Sequence, residues 1–251
     1  MNEAIDRFEA YWREFSPRRP LHVHPRDAAF VRGSDLDLTL LPVPVVGDLR
    51  RAEVVILMLN PGLDAEDHSW EEREDFRDVL SRAAQHSLGD ATHPFFYLDP
   101  RFANHPGAGY WIGGRRAGPG RKTQQKLRAV TQELSRRRGT TFEAIQNELA
   151  YRIAILQLLP YHSRELKRQK TRLLKTVPSC DEARALVNGL RRQDRRLIVA
   201  PRSIREWGFS GPLVNPNLVV YPSACGASAS LTPRSLGGDA IIRRLSGVER
   251  S

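Results

Sequence analysis

The chain has 251 residues, 40% of them hydrophobic, and 39 Lys and Arg against 29 Asp and Glu give a formal net charge of +10. That much apolar material at that length builds a full core, as one large domain or at most two small ones, and excludes a disordered chain. The longest apolar run, Val54 to Leu59, falls far short of the ~20 residues of a membrane helix, and Cys180 and Cys225 are too few for a four-cysteine zinc or iron–sulfur site. The charge is uneven: residues 1–100 hold 19 acids and 11 bases, net −8, and residues 101–251 hold 10 acids and 28 bases, net +18. Such a split points to a polyanion partner for the second part. The alternative is codon bias in a GC-rich genome, since 34 of the 39 bases are Arg. Met1-Asn2-Glu3-Ala4-Ile5-Asp6 has no basic start followed by an apolar stretch, so no secretion signal is predicted. With two free thiols expected, the predicted location is the cytoplasm.

In chain order, Ile5, Phe8, Tyr11, Trp12 and Phe15 recur at helical spacing and predict an amphipathic helix over 2–15 with its aromatics in the core. Residues 33–50, with Leu41-Pro42-Val43-Pro44, read as an extended lead-in. Val54 to Leu59 is a buried strand ending at Asn60-Pro61-Gly62, and a helix follows over about 70–88. Residues 89–120 predict a long loop whose basic, Gly-rich insertion spans about 104–122. Helices are expected over about 121–137 and 141–149, then a second buried strand over 151–159 stopped by Pro160. Arg164 to Lys175 has six bases and one acid and predicts a helix. Another helix is expected over 181–193, strands over 197–200 and 217–221, a short helix over 203–207 and a last helix over 235–246. Apolar strands alternating with helices predict a parallel sheet covered on both faces. The expected fold is therefore α/β: one three-layer α/β/α domain over 1–251, with a short four-stranded, mainly parallel sheet and an N-terminal helical extension over about 1–32. Ligands of such sheets bind beyond the carboxyl ends of the strands. Asn60-Pro61-Gly62, Gln157 with Pro160-Tyr161-His162-Ser163, and Tyr221-Pro222-Ser223 should meet there.

Val54-Val55-Ile56-Leu57-Met58-Leu59-Asn60-Pro61-Gly62-Leu63 resembles the first motif of the uracil-DNA glycosylase superfamily, in its Asn-containing mismatch-specific and single-strand-selective branches. Tyr221-Pro222-Ser223 is similar to the second motif, normally His-Pro-Ser or Met-Pro-Ser. The likeness covers about 45–245 in architecture, with close identity at seven or eight motif positions. It implies a monofunctional DNA glycosylase that flips a uracil-like or modified base and cleaves its N-glycosidic bond with water, leaving an abasic site. No metal or cofactor is implied, and the protein would act on single- or double-stranded DNA as a monomer. The alternative reading of Asn60-Pro61-Gly62 is a tight turn.

Cleavage builds positive charge on the sugar and negative charge on the departing base, so it needs a held water and donors aimed at the base. Asn60 can orient water without taking its proton, and Asp64 would supply the charge that Asn60 lacks. Leu59, Pro61 and Gly62 would line the nucleotide, with Gly62 letting the backbone pass close. Tyr221 stands where the resemblance implies His or Met: either its hydroxyl donates to the base or its ring packs on the sheet. Gln157 falls near the position implied to read the base edge. Tyr161 and His162 either contact the base or form a turn, and Trp70 or Phe76 either stacks on the base or belongs to the core. Pro222 and Ser223 would hold a phosphate, with Arg202, Arg234, Arg115 and Arg116 on neighbouring DNA. Leu231 either wedges into the space left by the flipped nucleotide or is a buried anchor.

A rival class rests on Asp64-Ala65-Glu66-Asp67-His68, whose carboxylates and imidazole suit a metal-dependent nuclease. The same acids also suit the start of a helix near Ser69. A catalytically silent DNA-binding or damage-sensing member of the fold is the third reading. His22 and His24 lack the third ligand of a zinc site. The basic runs Arg115-Arg116, Arg121-Lys122, Arg136 to Arg138, Arg164 to Lys175 and Arg191 to Arg196 are either solvated faces or, with Tyr110 and Trp111, a phosphate track with a stacking residue.

Overall fold

The computed structural model describes residues 2–17, 20–113, 126–166, 169–193, 195–222 and 230–247. The chain is α/β with a mixed sheet of six strands in the order β1-β3-β2-β4-β6-β5. These are β1 (Val45–Val46), β2 (Val54–Met58), β3 (Ile153–Gln157), β4 (Leu197–Ala200), β5 (Leu213–Asn215) and β6 (Leu218–Val220). β3, β2, β4 and β6 pair in parallel, while β1 and β5 pair antiparallel on the two flanks. The four expected strands are present, and the sheet gains the two edge strands. β1 is only two residues long and sits between Pro44 and Gly47, and β5 is exposed along its whole length.

Register fixes which side chains share a face, because partners in a parallel pair point the same way. Ile56 stands beside Ile155 and Val199, Val199 beside Val219, and Met58 beside Gln157. All of these residues except Met58 are buried, and each fully buried Val, Leu or Ile contributes roughly 1.5–3 kcal/mol relative to exposure. The face therefore ends, at the carboxyl side of β2 and β3, in a thioether and a carboxamide.

The first helix, α1 (Glu3–Arg13), starts where Asn2 accepts from the Ala4 and Ile5 amides and buries the predicted Ile5, Phe8, Tyr11 and Trp12. α2 (Ala28–Val31) is a single turn. In place of one helix over 70–88 there are two, α3 (Asp67–Glu71) and α4 (Glu74–Ala84), because Arg73 is extended. The expected loop after Gly89 is partly helical. It holds 3-10 turns at Phe96–Leu98 and Pro100–Phe102 and then α5 (Pro106–Trp111), whose first amides are met by His105 Nδ1 at Gly107. α6 (Arg128–Arg138) ends on Gly139 in the left-handed region, and α7 (Phe142–Arg152), capped by Thr141, runs straight into β3. α8 (Lys170–Thr176), α9 (Pro178–Gln193) and α10 (Leu236–Leu245) complete the set. The expected helix over 203–207 is a series of turns. α1 packs along α9, and α10 packs on β4, β6 and α6. Among the described residues no helix is long and apolar enough to cross a membrane.

Candidate active site

β2 connects to β3 on one side, and the chain then passes over to β4 on the other, so the crossovers part at the carboxyl end of β2, where open α/β sheets bind ligands. Beyond Met58 the backbone stays tied to the β3 side: Leu158 and Leu159 donate to the Met58 and Leu59 carbonyls at 3.0 and 2.9 Å. This delivers Asn60, half-buried, beside Ser163. The Asn60 amide nitrogen donates to the Pro61 carbonyl at 2.7 Å and to Ser163 Oγ at 3.0 Å. Both bonds use the donor end of the carboxamide, leaving Oδ1 without a hydrogen bond among the described residues. An aspartate could not make them, which gives a local reason for the amide. The Gly62 carbonyl lies 2.9 Å from His162 Nδ1, so the first two strand ends do come together. Pro61 is buried under this contact. A Cβ on Gly62 would meet nothing within 4 Å, so the fold itself leaves the space over its backbone open.

Gln157 is 7% exposed, and its Oε1 is buried without a hydrogen-bond partner. Leaving such an oxygen unmet costs about 1–3 kcal/mol, the sort of defect that a functional contact explains. Tyr161 is turned the other way. Its hydroxyl donates to Asp27 Oδ2 at 2.6 Å, while Tyr11 and the Ser179 amide bind Asp27 Oδ1, so Tyr161 belongs to a buried hub under the N-terminal segment. His24 stacks on Tyr11 with 4.0 Å between ring centroids, and its Nε2 lies 2.9 Å from the Tyr11 carbonyl. His162 is not exposed on a turn: it is buried, burial lowers its pKa, its Nδ1 braces Gly62, and its Nε2, like Gln157 Oε1, is buried without a hydrogen-bond partner.

Of the acidic segment only Asp67 is buried. Asp67 Oδ2 accepts from the Asp64 amide at 2.6 Å, and Asp64 Oδ1 accepts from the Glu66 amide at 3.2 Å. His68 pairs with Asp37 at 2.9 Å, and Glu66 is exposed. Among the described residues no three His, Cys, Asp or Glu are grouped to hold a metal ion. Burial pushes both Asp67 and Glu71 up to about 7, although Glu71 also accepts from the Leu41 amide at 2.9 Å. His105 Nε2 lies 3.9 Å from Asp67 Oδ1 and is driven down to about 3 by burial, then by His162. Phe76 and Trp70 surround His105 with ring centroids 4.5 and 5.1 Å away, which makes both aromatics part of the core. Glu71 and His105 escape a sequence reading because a helix acid and a loop histidine look solvated.

At the third strand end the Tyr221 hydroxyl is committed. It donates to the Ser230 carbonyl at 2.6 Å and accepts from the Gly237 amide at 2.8 Å. The ring thus packs on the sheet and ties the loop before α10 to its first turn. Leu231 is 2% exposed and is the buried anchor rather than a projecting wedge. Pro222 is half-buried and Arg234 exposed; Ser223, Cys225, Arg115, Arg116, Arg121 and Lys122 lie outside the described residues. Between the ends of β2 and β4 is a small depression open to solvent, lined by Ile56, Met58, Pro201 and Leu231 and also by Tyr110, Trp111, Lys126 and Arg202. No sequence motif contains Lys126.

Compared with family models, curated proteins and solved structures, the chain matches none of them.

Proposed function

We propose that the chain is a DNA glycosylase of the uracil-DNA glycosylase type, hydrolysing the N-glycosidic bond of a flipped uracil-like or modified base. The observation that carries this reading is Asn60: a carboxamide at the carboxyl end of a central parallel strand, its NH2 held by Pro61 and Ser163 and its oxygen unengaged. That oxygen is suited to accept from a water directed at the anomeric carbon. Gly62 presents bare backbone next to it, and Gln157 keeps a buried acceptor unmet on the same sheet face as Met58. In this reading the four parallel strands are the middle of a three-layer α/β/α sandwich, and the protein works as a monomer on DNA.

The chemistry expected is hydrolysis with water as the nucleophile and no cofactor. Asn60 orients the water but takes no proton, so the bond broken must be labile or the base a good leaving group. Tyr221 is occupied by Ser230 and Gly237, so donation to the departing base would come from backbone amides or from the cations Lys126 and Arg202. A silent DNA-binding member of the fold is the second reading, favoured by the absence of a carboxylate at position 60.

End-labelled single- and double-stranded oligonucleotides carrying uracil or other altered bases, incubated with EDTA and then heated in alkali, separate these readings. Alkali-dependent breaks that survive EDTA and vanish in Asn60→Ala are expected. Direct breaks abolished by EDTA would instead favour a metal-dependent nuclease at Asp64, Glu66, Asp67 and His68, and tight binding without breaks the silent binder.

A further inference from the structure

α3 is only five residues long, and its side chains tie it to the strand ends. Asp67 Oδ2 accepts from the Asp64 amide at 2.6 Å, in the loop after Asn60. His68 Nε2 meets Asp37 Oδ2 at 2.9 Å, and Glu71 Oε1 accepts from the Leu41 amide at 2.9 Å. Asp37 and Leu41 belong to the lead-in that runs along the end of β3, where the Asp37 amide donates to the His162 carbonyl and the Val43 amide to the Pro160 carbonyl, each at 2.8 Å. All three ties of α3 run through ionisable side chains. The Trp70 ring adds packing against Phe76, Phe102 and His105.

We infer that α3 is a proton-operated flap, docked on the Asn60 loop and the lead-in while Asp67 and Glu71 are protonated and released as they ionise. Both carboxyls are buried, and little positive charge faces them. Around Asp67 stand His68, Asp37 and Glu66, with His105 Nε2 at 3.9 Å from Oδ1. His105 Nδ1 accepts from the Gly107 amide at 2.8 Å, so the neutral ring carries its proton on Nε2 and supplies no charge. Glu71 faces Arg77, Asp67 and His68, and Tyr97 faces both carboxyls. Burial outweighs Arg77 and the Leu41 amide and holds both acids near 7, whereas a released, solvated Asp or Glu titrates near 4. Docking therefore keeps protons that release gives up, and opening becomes easier as pH rises from about 4 to about 7. The His68–Asp37 contact moves the same way, being an ion pair only while His68 is protonated. Trp70 must leave its contacts on release, so the open form is a minority excursion of the kind that amide exchange reads.

The inference rests on the proposed function only in taking the Asn60 loop as the site, and its test involves no excision. Hydrogen–deuterium exchange of the whole protein is followed by mass spectrometry at pH 5.5 and pH 8 with EDTA present, each labelling time scaled for the intrinsic pH dependence of amide exchange. One carboxyl moving between about 7 and about 4 makes opening roughly tenfold or more easier over that interval, and two make it easier still. Protection over residues 60–72 is expected to fall by that factor and to be indifferent to low urea, because a local opening exposes little surface; protection over α9 should fall with urea. Asp67→Asn with Glu71→Gln keeps the acceptors and removes the charges. Its protection should stay within about fivefold between the two pH values, the share left to the exposed His68–Asp37 pair. Glu71→Gln alone should remove part of the fall, and Asp181→Asn, an equal change of charge on the surface of α9, none of it. Wild-type protection that is the same at both pH values, a fall that persists in the double variant, or exchange over 60–72 as sensitive to urea as that of α9 would overturn the flap. If α3 behaves as expected but no altered base is ever released, the flap stands and the glycosylase reading falls; excision without this exchange pattern leaves the glycosylase and removes the flap.

Discussion

Tyr221 shows how one hydroxyl can decide between a chemical and an architectural role. Its proton goes to the Ser230 carbonyl and its lone pair to the Gly237 amide, so nothing remains for a base without breaking a buried contact. The position is also cramped: a Cβ on Gly237 would stand 2.9 Å from this oxygen and 3.0 Å from Leu231. Tyr221→Phe removes the hydroxyl and leaves a buried carbonyl and amide unmet, which costs about 1–3 kcal/mol. The expected result is a lower urea midpoint for Tyr221→Phe and, in the proposed glycosylase reading, an excision rate per folded molecule kept within a few fold. A drop of a hundredfold or more in that rate, at a temperature where the variant is fully folded, would return Tyr221 to the leaving base and contradict the geometry. That a strand leads to Tyr221 was legible in the sequence. The use of the hydroxyl was not, since Ser230 and Gly237 are fixed by the docking of α10 and not by the motif.

At the scale of elements, α3 gives the loop after Asn60 one carboxyl acceptor and the segment leading into β1 another. Asp67 takes the Asp64 amide and Glu71 the Leu41 amide, and burial brings both groups to about 7. Unfolded Asp and Glu titrate near 4. Between about pH 4 and pH 7 the folded chain therefore holds more protons than the unfolded one, so stability falls as pH rises through that window and is lowest above it. Asp67→Asn keeps an acceptor for Asp64 without a charge to bury. It is expected to be near neutral at pH 5 and stabilising by on the order of 1–3 kcal/mol at pH 8, read from urea unfolding at both values. A variant equally destabilised at the two pH values would contradict the burial argument. The elements themselves were unevenly legible. β2 and β4 are buried on both faces, which writes them into the chain as uninterrupted apolar runs. β5 is exposed, with Leu213 and Val214 between Pro212 and Pro216, and reads as a loop. The break between α3 and α4 at Arg73 leaves no Gly or Pro in the sequence to mark it. The depression between the ends of β2 and β4 was the least legible feature, because Met58, Tyr110, Lys126 and Arg202 are joined only by the crossovers of the sheet.

For the whole molecule, the net +18 of residues 101–251 overstates the positive charge left open to a polyanion. Arg136 and Arg137 pair with Glu133, Arg138 and Arg152 with Glu148, Lys170 with Glu206 and Arg243 with Asp239. Exposed pairs of this kind are worth only about 0–1 kcal/mol each, yet a phosphate that displaces a carboxylate gains little over the pair it breaks. The run Arg136 to Arg138, prominent in the sequence, thus belongs to the face of α6 and α7. In the proposed reading, the described cations at the strand ends are Lys126, Arg202 and Arg234. A count of roughly four to six phosphate contacts gives a slope near −4 to −5 in log affinity against log salt, or a fall of about 10²–10³ between 50 and 200 mM. Binding of an unmodified oligonucleotide across that range checks the count. Arg136→Gln with Arg137→Gln should leave the slope unchanged, while Lys126→Gln should reduce its magnitude by about one contact. A flat salt response would remove the polyanion partner altogether, and a slope that falls with the α6 pair and not with Lys126 would move the DNA path off the strand ends and onto the helices.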